Sequence, residues 1–102
     1  MQIKAASLKF TAMSGIGPRQ GTVKVNFPLP VQSATAALTG FTPEFGLNID
    51  HNYGLLQIQV VVPRNGVNGS AVTVDVIFAL RDSSNNWFHH YAGTIFFVVI
   101  AE

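Results

Sequence analysis

The 102-residue sequence predicts an all-β fold, a six-stranded antiparallel β-sandwich in a single domain spanning residues 1–102. Three observations predict it. Apolar residues recur with a period of two, not the helical period of about 3.6. The residues filling those runs are β-branched or aromatic, as strands favour. Gly-, Pro- and Asn-rich punctuation separates the runs at short intervals. Length sets the domain count, because a chain of this size holds one core.

A first strand is expected near residues 2–12, closed by "GIGPRQG" at 15–21. In the second, Val23, Val25 and Phe27 share one face while Lys24 and Asn26 share the other. Pro28 and Pro30 end it, since proline has no N–H to donate to a ladder. The third run, "SATAALTGF" at 33–41, alternates more weakly. Ser33 as an N-cap and the helix formers behind it make a helix over 33–39 the competing reading; the brevity of the run and Gly40 argue against it. "TPEFGLNIDHNYG" at 42–54 reads as a long irregular connection.

"LLQIQVVV" at 55–62 is the fourth strand. After it, Asn65-Gly66 and Asn68-Gly69 suit tight turns that need positive φ, which predicts a hairpin with the fifth strand. That strand is "AVTVDVIFALR" at 71–81, with Val72, Val74, Val76, Phe78 and Leu80 opposite Thr73, Asp75, Ile77 and Arg81. "DSSNN" at 82–86 then turns the chain into the last strand, an expected second hairpin.

The last strand is apolar at both parities. Ile95, Phe97 and Val99 point one way, and Phe96, Val98 and Ile100 the other. One face meets the opposing sheet, and three large side chains on the other need cover that a monomer does not supply. A cyclic homo-oligomer would supply it. Only 11% of residues are charged against 48% hydrophobic, which points the same way. Fully extended, residues 89–101 span about 43 Å, whereas a compact domain of this size is about 33 Å across. The strand is therefore expected to bend at Gly93 or to project, with "NNWFHHY" at a rim.

The composition excludes several classes. Lys4, Lys9, Arg19, Lys24, Arg64 and Arg81 are scattered, and the net charge is +1, so no nucleic-acid partner is expected. Cysteine is absent, which removes disulfides and thiolate chemistry. "MQIKAASLKF" has no continuous apolar segment and the run "IFFVVIA" is too short to span a bilayer as a helix. No signal peptide and no membrane insertion are expected; the compartment is open.

The succession "VKVNFPLPVQSATAALTGF", an irregular loop, "LLQIQVVV", a glycine turn, "AVTVDVIFAL", a polar turn and "YAGTIFFVVIAE" resembles the H-type lectin fold over residues 22–102. The resemblance implies a six-stranded sandwich, a homotrimer, and binding of N-acetylgalactosamine-type sugars through the hairpin before the last strand. Tyr91 matches the family's tyrosine. The family's Trp-His pair falls near Arg81 and Asp82, its last-strand tryptophan is Phe and its cysteines are missing, so sugar specificity is not carried over.

Two stretches carry candidate ligand groups. In "DSSNNWFHHY", Trp87 and Tyr91 offer faces for the apolar side of a sugar ring, and Asp82, Asn86 and His89 offer hydrogen bonds to hydroxyls. The competing reading is a turn whose aromatics merely pack across strands. In "NIDHNYG", Asp50, His51 and Tyr53 sit on a connection where binding residues concentrate, against the reading that Asp50 and Asn52 bond their own backbone. The two stretches form one site if they lie at the same end. No metal or other cofactor is expected: adjacent His89 and His90 on a strand face opposite ways, and neither Cys nor a carboxylate cluster completes a site. No nucleophile elbow, phosphate loop or carboxylate pair is present, and a triad of Ser83, His89 and Asp50 exists only on paper. The sequence therefore reads as a non-enzymatic, oligomeric carbohydrate-binding module. The alternative is a structural subunit, capsid- or phage-tail-like, with no small-molecule ligand.

Overall fold

The computed structural model describes residues 1–13, 18–45, 53–82 and 91–102. These form seven strands: β1 (Gln2–Met13), β2 (Arg19–Asn26), β3 (Ala34–Phe45), β4 (Tyr53–Val61), β5 (Val67–Asn68), β6 (Ala71–Asp82) and β7 (Tyr91–Ala101). All pairings are antiparallel. One sheet has the order β1-β7-β3; the other has the order β2-β6-β4, with β5 also on β6. The six expected strands are all present, and the seventh is the two-residue β5. Where a helix over 33–39 competed, the chain is strand from Ala34, and β3 runs on through Pro43 to Phe45. Pro43 is tolerated because β3 is an edge strand, where a missing N–H costs no ladder bond.

The two central strands, β6 and β7, carry the most apolar sequence, and their inner faces build the core. Val72, Val74, Val76 and Phe78 on β6, and Ile95, Phe97, Val99 and Ala101 on β7, are completely buried. They belong to one cluster with Phe10, Val25 and Phe27, so the two sheets face each other across a shared interior. Each of the Val, Ile and Phe side chains contributes about 1.5–3 kcal/mol by leaving water. The alternation on β7 is as expected: Phe97 is buried, while its neighbour Phe96 is 42% exposed on the outside.

The second expected hairpin is not formed. β6 and β7 lie in different sheets, each flanked by two partners, so Asp82 and Tyr91 are joined by a crossing between sheets. The physical reason is burial: as face-to-face centres, both strands bury their inner rows fully, which side-by-side pairing at an edge would not allow. The first hairpin is formed, since β4 pairs with β6. Its reversal lies at Asn68-Gly69, where Gly69 takes φ +61° between the paired Asn68 and Ala71. Positive φ at the first residue of a two-residue hairpin turn is what a glycine accommodates without strain.

The molecule measures 46 × 20 × 18 Å, with a radius of gyration of 15.3 Å. The long strands are thus accommodated by elongation of the whole domain. The expected bend at Gly93 takes another form. Phe10 pairs with Gly93 and Met13 with Tyr91, so β1 carries one extra residue, a bulge, beside that glycine. Gly93 is itself fixed by close approach: an added Cβ would lie 2.9 Å from Phe78 Cζ and 3.1 Å from the Thr42 carbonyl oxygen.

The outer faces of the two sheets differ. That of the β1-β7-β3 sheet presents Ile3 and Phe96 as exposed side chains, with Val98 half-buried between Ala5 and Ala37 and Ile100 half-buried between Ile3 and Thr35. That of the β2-β6-β4 sheet is more polar, with Gln20, Thr22, Lys24 and Gln59 exposed beside Val61, and the Thr22 hydroxyl donating to Asp75 at 3.4 Å.

Candidate functional site

The register fixes where the candidate stretches begin and end. β3 ends at Phe45, which pairs with Tyr91, the first residue of β7. β4 begins at Tyr53, which pairs with Asp82, the last residue of β6. The segments 46–52 and 83–90 therefore leave from, and return to, the same end of the two sheets. The 14–17 connection joins them there, since Met13 also pairs with Tyr91. Asp50, His51, Asn86, Trp87 and His89 lie within those two segments, outside the described residues. Tyr53 and Asp82 are placed by their backbone pairing at the roots of the segments.

Tyr91 is the one candidate whose side chain is fully placed, and it is completely buried. Its ring meets Phe78 edge-on, with centroids 5.4 Å apart and planes at 70°. Its place is thus in the core at the root of segment 83–90, not on the surface as a stacking face for a sugar. Burial pushes its phenol above the ordinary value of 10.0, while the neighbouring Arg19 guanidinium works in the opposite direction.

Arg19 is the residue that sequence reading missed. Its guanidinium carbon lies 5.3 Å from the ring centroids of both Phe10 and Tyr91. Its Nη1 donates to the Thr11 carbonyl at 2.7 Å and to the Tyr91 carbonyl at 3.1 Å. An arginine of β2 thereby ties the β1 bulge to the start of β7, across the two sheets. A signal was available: Arg19 shares the odd parity of the inward-facing Val23 and Val25 on the same strand. No protein-family model, curated protein or solved structure matches the chain.

Side chains tie the start of β1 to the end of β2 and the chain after it: Lys4 Nζ donates to the Asn26 carbonyl at 2.9 Å, and Gln2 exchanges two 3.2 Å bonds with the backbone of Leu29. A shallow groove lined by Ser33, Ala34, Thr35, Ile100 and Glu102 lies at the opposite end, where β7 finishes. Among the described residues no three His, Asp or Glu side chains come together as metal ligands.

Proposed function

We propose that the chain is a non-catalytic binding module, working as a homo-oligomer, whose ligand class is carbohydrate and whose ligand-bearing segments are 46–52 and 83–90. One observation carries the reading. The pairings Phe45–Tyr91 and Tyr53–Asp82 root both segments at one end of the two sheets, which supports reading Asp50, His51, Trp87 and His89 as members of one site. An indole face with carboxylate, amide and imidazole groups around it suits a sugar ring, which has an apolar side and a rim of hydroxyls. Tyr53, Asp82 and Asn86 complete the set, and Tyr91 anchors the start of β7 in the core. The six long strands, taken as an H-type lectin-like β-sandwich, extend this to a homotrimer.

The test is a glycan-array screen of the purified protein beside Trp87→Ala, with the oligomeric mass of the variant checked first. Specific binding lost in the variant is the expected result. Binding by neither protein, with intact oligomers, would overturn the reading.

A second reading, a structural assembly subunit without a ligand, is favoured by a different observation. The outer face bearing Ile3, Phe96, Val98 and Ile100 is apolar enough to make subunit contacts on its own. In that case Trp87 lies in a contact between copies and is shielded from solvent.

A further inference from the structure

The sequence contains two Asn-Gly pairs three residues apart, and the structure treats them differently. Asn65 and Asn68 are both exposed, and each precedes a glycine, the residue that least hinders attack on the asparagine side chain by the following amide nitrogen. At Asn65 that nitrogen is engaged: the Gly66 N–H donates to the Pro63 carbonyl at 2.9 Å. Gly66 is also buried, its carbonyl accepts the Thr73 N–H at 2.7 Å, and a Cβ added to it would lie 2.9 Å from the Thr73 carbonyl oxygen and 3.0 Å from that of Pro63. At Asn68 the following glycine is exposed, and no heavy atom lies within 4 Å of where its Cβ would be. Beyond the Asn68–Ala71 pair that closes the turn, its two central residues are held through their carbonyls: Gly69 accepts from Val31 at 2.9 Å and Ser70 from Phe27 at 2.8 Å. Among the described residues the Gly69 N–H has no acceptor.

We propose that Asn68 is a site of spontaneous covalent modification, converted through a cyclic imide to aspartate and isoaspartate, and that the fold protects Asn65 from the same reaction. The Gly69 nitrogen gives up its proton and forms a bond to Asn68 Cγ. The bond from Cγ to the side-chain nitrogen breaks, and that nitrogen leaves as ammonia. Water then opens the five-membered ring at either carbonyl, giving aspartate or a main chain lengthened by one methylene. The net change is amide plus water to carboxylic acid plus ammonia, with no change of oxidation state. Reaching the attacking geometry requires opening only the two-residue β5, a local event at the low end of the stability range. At Asn65 it requires breaking the Gly66–Pro63 bond and moving a buried glycine.

The reaction has two readouts. A carboxylate at position 68 takes the formal net charge from +1 to zero, so an acidic form separates by ion exchange. Isoaspartate also lengthens the turn whose carbonyls hold Phe27 and Val31, so the product melts at a lower temperature than the parent. Trypsin releases residues 65–81 as one peptide, after Arg64 and Arg81, so fragmentation compares both asparagines in a single molecule.

The experiment ages the folded protein in mildly alkaline buffer and maps that peptide over time, beside a urea-denatured sample and Asn68→Gln. In the folded protein Asn68 is expected to react at least about tenfold faster than Asn65, the factor that one retained hydrogen bond supplies. In urea the two rates converge. Asn68→Gln, which would need a less readily formed six-membered ring, loses the acidic form. Equal rates in the folded protein, a faster Asn65, or a preference for Asn68 that persists in urea would each overturn the proposal.

Discussion

Arg19 of one sheet holds Tyr91 of the other: its guanidinium lies 5.3 Å from the tyrosine ring centroid, and its Nη1 donates to the Tyr91 carbonyl at 3.1 Å. Arg19→Ala would remove two cation–ring contacts and leave the partly buried Tyr91 carbonyl without this donor. The expected loss is about 2 kcal/mol, read as a lower midpoint in urea unfolding. Arg19→Lys keeps the charge but cannot bridge two carbonyls with a planar fork, so it is expected to recover less than half of that loss.

Alkaline stability follows from the same pair. The buried Tyr91 phenol titrates above its ordinary value of 10.0. Below that value the phenol is neutral in folded and unfolded chains alike, and its contribution is fully present. Above it the unfolded chain loses the proton first, so stability falls until the folded value is passed. Tyr91→Phe removes this component. The urea midpoint, followed upward through pH 10, is expected to fall less steeply in the variant than in the parent; parallel curves would contradict the assignment.

β7 offers a comparison between its two faces. Phe97 is completely buried and Phe96 is 42% exposed. Phe97→Ala is expected to cost about 3–5 kcal/mol through lost transfer and a residual cavity. Phe96→Ser is expected to cost far less in the stability of the separated chain, but to lower the oligomeric mass seen by light scattering. A Phe96→Ser protein of unchanged mass would exclude this face as a subunit contact.

Gly93 and Phe78 form a matched pair. A Cβ at position 93 would come within 2.9 Å of the Phe78 ring, in an interior with no slack. Gly93→Ala is expected to destabilise by about 1–3 kcal/mol. Combining it with Phe78→Leu, which withdraws the colliding ring atoms, makes the double variant more stable than the sum of the single losses. Additivity in urea unfolding would show that the two positions do not compete for space.

Much of this architecture was legible because alternation is a local signal. Val72, Val74, Val76 and Phe78 announce their face by spacing alone, and the same holds for Ile95, Phe97 and Val99. Sheet membership is not local. Nothing between Asp82 and Tyr91 in the sequence says that β6 and β7 stack instead of pairing; that outcome rests on which strands can bury both flanks. The bulge in β1 was illegible for the same reason; parity alone points Arg19 and Tyr91 inward, but their contact with each other depends on neighbours distant in sequence. At the candidate site, the residue types were legible. Their shared end emerged only from the register of Phe45 with Tyr91 and Tyr53 with Asp82.

Whether segments 46–52 and 83–90 act as one site is tested most directly by a double-mutant cycle. The affinity of the best glycan from the array would be measured for the parent, Asp50→Ala, Trp87→Ala and the double variant. A shared site predicts that each single variant binds at least about tenfold more weakly, and that the double loses clearly less than the two losses combined, because both remove contacts to one ligand. Independent, additive losses, an effect from only one segment, or no glycan bound at all would contradict it.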